Sequence, residues 1–455
     1  MEIFISIFQQ LCFAALLTAS GVLIGKRVKA ISRNIKLGKA ENRSGNGPER
    51  LKKMLLLAFG QKKMFDRPFV GLMHFTIYIG FVLINIEVLE ILLDGITGQH
   101  RLFSPLLGDF YPVLIGFFEL LALGVVVACI VFLVRRKSGL VPRFQKPEMR
   151  GWPSLDANII LIWEILLMGA LYTMNGTDAV LQTRAESSEY IASHYPQTGP
   201  FLISGLLVPL FENLSTGLLI GLERFAWWIH IAGILAFAVY ITYSKHLHIA
   251  LAFPNTYFSD LKPKGQLENM ESVTKEVKIM LGMENGTENP EQVDEEVATF
   301  GAKDVTDLSW KNIMDAYSCT ECGRCTSVCP ANITGKKLSP RKIMMDVRDR
   351  AEELGKYKDE HSAEAHDGKG VYVDYTSKEE LMACTTCNAC VEACPIHINP
   401  LDIILQQRRY IAMEESDTPA SWNAMFSNIE NNQAPWAFPA TDRFKWAEEL
   451  KQQKS

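Results

Sequence analysis

Charge of either sign is nearly balanced in this chain. Its 46 lysines and arginines against 51 aspartates and glutamates leave a formal charge of −5 over 455 residues, too little to argue for a nucleic-acid partner. No two cysteines are adjacent, and only Cys12 and Cys129 fall outside two tight groups; lying in apolar runs, they read as core or lipid-facing residues. The first apolar run has no basic start and no small-residue cleavage pattern, so a cleaved signal peptide is not expected. Lysine and arginine are almost missing from two of the segments that join the apolar runs, which hold Arg101 in one and Arg184 and Arg224 in the other.

What is present is concentrated in two places. Cys319, Cys322, Cys325 and Cys329 precede Pro330, and Cys384, Cys387, Cys390 and Cys394 precede Pro395. Both read C-x2-C-x2-C-x3-C-P, the spacing that holds cubane [4Fe–4S] clusters in two-cluster ferredoxins, where the fourth cysteine serves the other cluster. The expected ligand sets are therefore Cys319, Cys322, Cys325 and Cys394 for one cluster, and Cys384, Cys387, Cys390 and Cys329 for the other. Structural zinc would want two separated pairs of ligands, which this pattern does not supply. Disulfides would need an oxidising compartment.

The first 253 residues are dominated by apolar runs and the last 200 by polar ones. Ile3–Gly25, Pro68–Leu93, Phe110–Val134, Leu155–Asn175 and Phe225–Phe253 each meet the length of about 20 residues needed to span a bilayer. Phe201–Leu222 reads instead as an interfacial or re-entrant segment containing Pro209 and Glu212, with Pro254 ending the last span. Thirteen lysines and arginines from Lys26 to Arg67, and six from Arg135 to Arg150, flank the other two connections. The positive-inside rule then places the cysteine domain in the cytoplasm, where thiols stay reduced. The expected architecture is an all-α membrane protein. A five-helix transmembrane bundle (1–253) and a linker (254–308) lead to a helical ferredoxin-like domain with two [4Fe–4S] clusters (309–455). The acidic patch of Glu284, Glu288, Glu291, Asp294, Glu295 and Glu296 reads as solvated surface. His361 and His366 fall in a Gly- and charge-rich insertion, roughly Lys356–Gly370, as exposed loop residues.

Ionisable side chains inside spans are costly and point to function. His74 lies on the second span; His230, His246 and His248 lie on the last. Were that last span one helix, His230 and His248 would share a face about 27 Å apart, with His246 facing almost the opposite way. A b-type haem needs imidazoles from two facing helices at matched depth, which His74 and His248 offer; His230 has no facing histidine. The bland alternative is interfacial anchoring or core hydrogen bonding. Glu87, Glu119 and Glu164 could exchange protons with a quinone, or simply bond helix to helix.

The run Trp227-Trp228-Ile229-His230 through Tyr243-Ser244-Lys245-His246-Leu247-His248-Ile249 resembles the last span of the gamma-subunit-like membrane proteins of respiratory nitrate reductase. It is more similar still to the membrane subunits of heterodisulfide reductase and of the dissimilatory sulfite reductase complex. Leu72-Met73-His74-Phe75, with Gly80 and Phe81, resembles their second span. The cysteine domain resembles the ferredoxin-like parts of heterodisulfide reductase and of anaerobic glycerol-3-phosphate dehydrogenase. Fused relatives look like the membrane oxidoreductases that take electrons from electron-transferring flavoprotein. The resemblance implies a multi-pass protein of the cell inner membrane and an oxidoreductase subunit. It would pass electrons between an electron-transferring flavoprotein or cytoplasmic dehydrogenase and membrane quinone, through two [4Fe–4S] clusters and one or two haems b. The reverse flow, quinol driving reduction of a cytoplasmic disulfide or sulfur compound, is the alternative. Two departures stand out. Ile84 occupies the place of a second histidine on the second span, and the CCG cysteine repeats of the fused relatives are missing. A CCG-domain iron–sulfur subunit is therefore expected as partner, with Pro435-Trp436-Ala437-Phe438-Pro439, Arg443 and Trp446 as a candidate docking surface.

Overall fold

The computed structural model describes residues 2–453 except 200, 264, 268 and 284–298; the acidic patch from Glu284 to Glu296 lies outside the described residues. Five helices are long and apolar enough to cross a membrane: α1 (Glu2–Ile35), α2 (Pro68–Thr97), α3 (Tyr111–Lys137), α4 (Trp152–Thr183) and α5 (Thr216–Ile241). Proline in the first turn opens α2, α3 and α4, where its missing N–H costs nothing. Gly98, at φ 75°, ends α2 and returns its N–H to Asp94, a left-handed cap that suits glycine. The bundle closes in the order α2–α3–α4–α5–α1 around buried Phe13, Phe118, Leu171, Trp227 and Ile231.

Three expectations about the apolar segments change. First, α1 runs ten residues past the expected end at Gly25, to about 51 Å, well beyond a hydrocarbon core of about 30 Å. Its far end leaves the bundle and enters the cysteine domain. There Arg27 grips Glu352 at 2.8 and 2.7 Å, Asn34 Nδ2 donates to Tyr317 Oη at 2.8 Å, and Tyr317 donates on to Glu352 at 2.5 Å. Second, Phe201–Leu222 is divided: short turns at Ser204–Leu207 and Val208–Phe211 cap the bundle, while residues 216–222 form the start of α5.

Third, the last span is not one helix to Phe253. α5 stops at Ile241, a turn covers Lys245–Leu247, and α6 (His248–Tyr257) follows with Pro254 inside it rather than ending it. Buried Asp156 on α4 holds the break by accepting from Tyr240 Oη at 2.5 Å and Lys245 N at 3.0 Å, and Ser244 Oγ accepts from His246 N at 3.0 Å. Hydroxyl and carboxylate groups offered to the backbone here compete with the helical ladder.

Among the described residues the cysteine domain is helical too. Its frame is α7 (Trp310–Ser318), α8 (Pro340–Glu360) and α9 (Pro400–Met413), capped by Ser309, Ser339 and Asn399. Ala302, Val305 and Leu308 belong to its core, and Ile31 of α1 joins them. The core therefore begins inside the stretch expected to be linker, and α6 runs across the expected boundary at residue 253. Arg350, fully buried, ties the domain through Asp304 (2.8 Å) and Asp367 (2.6 Å). His366 is exposed, as expected, and bonds Asp304 at 3.1 Å.

Candidate iron–sulfur and haem sites

The two cysteine loops are built alike. Glu321 and Gly323 in the first, and Thr386 and Asn388 in the second, carry positive φ of 53°, 70°, 56° and 61°. Each loop thus takes left-handed conformations at the second and fourth residues after its first cysteine, coiling the three thiols inward. Each fourth cysteine precedes a proline-led segment that runs on to a capped helix, α8 or α9. Cys394 lies in the field of Cys319, Cys322 and Cys325, and Cys329 in that of Cys384 and Cys390. Burial, reinforced by these neighbours, pushes Cys319 and Cys390 up to about 12 and Cys394 up to about 11. Such thiols become thiolates only when a metal supplies opposing charge.

The basic loops of the membrane domain reach the first group. Arg143 Nε donates to the Cys322 carbonyl at 3.0 Å, Lys63 Nζ to those of Glu392 (2.8 Å) and Cys394 (3.4 Å), and Arg324 Nη2 touches Met64 Sδ at 3.3 Å. In the second group Cys387 is exposed while Cys390 and Cys329 are buried, and Arg408, from its own domain, donates to the Cys384 carbonyl at 2.6 Å.

At the same end of the bundle the ring of His74 lies 6.4 Å from that of His248. Two imidazoles bonding one iron through Nε2, at bonds of about 2 Å, place their centres roughly 6 Å apart, so the pair fits a bis-histidine haem. His74 Nδ1 donates to Gln61 Oε1 and His248 Nδ1 to the Lys245 carbonyl, both at 2.9 Å, leaving each Nε2 with its lone pair. His246 does not face away from His248. Because the helix breaks, their rings stand 5.6 Å apart edge to face, with Phe237 on the other side of His246. His230 is buried with Nδ1 bonded to the Leu167 carbonyl at 2.9 Å; no other histidine ring approaches it among the described residues, and Ile84 is core.

The three carboxylates part ways. Glu119 is satisfied by Ile203 N (2.7 Å), Ser204 N (3.2 Å), Asn175 Nδ2 (3.1 Å) and the Ser204 hydroxyl. Glu164 is half-buried. Glu87 is buried with neither oxygen hydrogen-bonded. Sequence reasoning missed Gln61, Asp156 and the buried Arg101, none of which stands in a recognisable motif.

A bundle of five helices long and apolar enough to cross a membrane, joined to a helical domain with two cysteine loops, is the architecture against which similar proteins can be compared. Residues 318–398 match the model of the 4Fe-4S dicluster domain, supporting two such clusters. The chain is similar, at 28% identity over 445 residues, to the probable iron-sulfur-binding oxidoreductase FadF of Bacillus subtilis, covering 91% of this chain and 57% of that one. It is 28% identical over 437 residues to the EtfAB:quinone oxidoreductase of Syntrophomonas wolfei, covering 91% and 56%. A shorter match, 35% over 103 residues, is to one subunit of the ferredoxin/F(420)H(2)-dependent CoB-CoM heterodisulfide reductase of Methanosarcina acetivorans, covering 22% and 49%. The chain thus spans little more than half the length of the first two. No solved structure matches.

Proposed function

We propose that this chain carries electrons between a flavoprotein or dehydrogenase docked at the cysteine domain and quinone in the membrane. The clusters and a haem b, when bound, supply one-electron carriers. The residues here hold and space them: the crossed cysteine sets hold two cubes, and His74 with His248 holds one haem. The observation that carries this reading is a shared strut. The turn that offers His248 to His74 continues into α6, which packs on α7, the helix ending at Cys319, while Asn255 Nδ2 donates to the Ile396 carbonyl beside Cys394 at 3.0 Å. Ligands for haem and first cluster therefore sit on one connection, with Cys387 of the second group exposed toward a partner.

The likeness to a protein named EtfAB:quinone oxidoreductase favours flow toward quinone and a flavoprotein donor. The likeness to a heterodisulfide reductase subunit favours the alternative, quinol-driven reduction of a disulfide or sulfur compound. A further iron–sulfur module of the CCG type fits the extra length of the relatives, and the basic loops on the cluster side favour a cytoplasmic cysteine domain in the inner membrane. His230 without a facing histidine supports one haem rather than two. Anaerobic mixing of the purified chain with titanium(III) citrate should reduce both cubanes, seen by electron paramagnetic resonance, and then the haem within milliseconds. Absence of a cytochrome band, or a haem that stays oxidised while the cubanes are reduced, would overturn the proposal.

A further inference from the structure

Where α2 begins and α3 ends, on the side of the cysteine domain, five arginines crowd together. Arg67 immediately precedes α2, Arg135 and Arg136 stand in the last turn of α3, and Arg143 lies in the connection that follows. Arg324 belongs to the first cysteine loop. One ring gathers three of them: the guanidinium carbons of Arg143, Arg136 and Arg135 lie 4.6, 4.8 and 5.9 Å from the centre of Phe144. Two contacts bring in Arg324. Arg143 Nε donates to the carbonyl of Cys322, two residues before it, and Arg324 Nη2 rests 3.3 Å from Met64 Sδ in the turn that leads to Arg67. Burial, and then the like charges of Arg324, Arg67 and Arg135, push Arg143 down to about 10 against the pull of Cys322.

No carboxylate answers this charge. None of the five arginines forms an ion pair among the described residues, and the side chains of Arg67 and Arg135 make no hydrogen bond there. Arg136 reaches only the neutral Asn158 (3.3 Å) and Ser154 (3.4 Å). The acids close by in the chain are engaged or turned to water: Glu148 faces Arg341 at 3.7 Å, Asp156 is held by Tyr240 and Lys245, and Asp66 is exposed. Like charges gathered this closely raise the free energy of the fold unless an anion neutralises them. Guanidinium forks bond phosphate oxygens two at a time.

Depth identifies the anion. The ends of spans lie at the level of the lipid headgroups, where basic pockets between helices take acidic ones. Just inside this rim, Phe69 and Leu72 on α2 and Ile130 and Val134 on α3 are exposed, and Thr76 abutting Gly124 sets the two pairs at matching depth. A free anion would satisfy the arginines alone; a phospholipid would satisfy the arginines with its phosphate and these apolar side chains with its acyl chains. We infer that the five arginines bind the phosphate of one anionic phospholipid, whose acyl chains lie along α2 and α3. Arg143 and Arg324 make the first cysteine loop a party to the site, so the lipid ties that loop to the membrane.

The test strips the full chain of lipid in dodecyl maltoside and titrates it with dioleoylphosphatidylglycerol or dioleoylphosphatidylcholine, reading lipid adducts by native mass spectrometry. One phosphatidylglycerol should be retained about tenfold more tightly than phosphatidylcholine. Arg67→Gln with Arg135→Gln, which breaks no hydrogen bond of the fold, should weaken it by about tenfold or more. The same loss of charge in Lys26→Gln with Lys29→Gln, on α1, should change it by less than about twofold. Equal affinity for the two lipids, or equal weakening by the two double substitutions, would reduce the group to general surface charge and overturn the inference. Displacement of phosphatidylglycerol by millimolar inorganic phosphate would also overturn it, by showing a site for a free anion.

Discussion

The histidine pair gives the sharpest prediction. His74→Ala or His248→Ala removes one of two rings whose centres are 6.4 Å apart and leaves the iron a single imidazole from the chain, so bound haem should fall below a tenth of its normal occupancy. Gln61→Leu is the graded perturbation. It keeps both rings but deletes the 2.9 Å bond that fixes which nitrogen of His74 carries the proton. Loss of such an orienting partner costs roughly 10- to 100-fold in metal affinity, about 1.4 to 2.7 kcal/mol. His248 needs no comparable side chain, because a backbone carbonyl holds it. His246→Ala is the control: its ring packs between Phe237 and the edge of His248, and haem content should survive its loss. The assay is pyridine haemochrome absorbance per mole of protein, with haem titrated back into the purified variants to read affinity. Full haem content in both His74→Ala and His248→Ala would refute the ligand assignment, and loss in His246→Ala with retention in His248→Ala would move it by two residues.

Two further outcomes test the cysteine domain. Under crossed ligation, Cys394→Ser should damage the same paramagnetic centre as Cys322→Ser, and Cys329→Ser the same centre as Cys387→Ser; pairing of each fourth cysteine with its own loop would refute the assignment. Arg350→Leu strands the carboxylates of Asp304 and Asp367 against the core and should destabilise the domain by about 3 to 5 kcal/mol. It would be read as a lower temperature for bleaching of cluster absorbance, and an unchanged bleaching temperature would show that water reaches these groups.

What was legible in the sequence, and what was not, divides along a physical line. The spans and cysteine loops rest on local rules: an apolar run must form a helix in lipid, and a fixed cysteine spacing dictates a coiled loop. Both came through. The failures were tertiary. Nothing local marks residues 242–244 as a break, since Thr242, Tyr243 and Ser244 sit acceptably in a helix; Asp156, some 86 residues earlier, supplies the bonds that end it. From that break follows the error in facing for His246. The extension of α1 was hidden for the opposite reason. Lys26 to Arg33 look like the basic flank of a span, and only contact with Glu352 and Tyr317 shows that the helix continues into a second domain.

The same basic residues carry a second meaning. Lys63 and Arg143 entered the sequence argument as signals of orientation, a property of the loop's charge and not of its shape. In the fold they donate to carbonyls of Cys394 and Cys322, so the cations that keep these loops on one side of the membrane also hold the first cysteine group against the bundle. Cation donors close to a cluster stabilise its reduced, more negative form. Against these two, Arg408 donates in the same way at the second group, so on the proposed ligand sets the cluster nearer the membrane would be the better electron acceptor. Within the proposed function, that asymmetry of cations favours flow toward quinone.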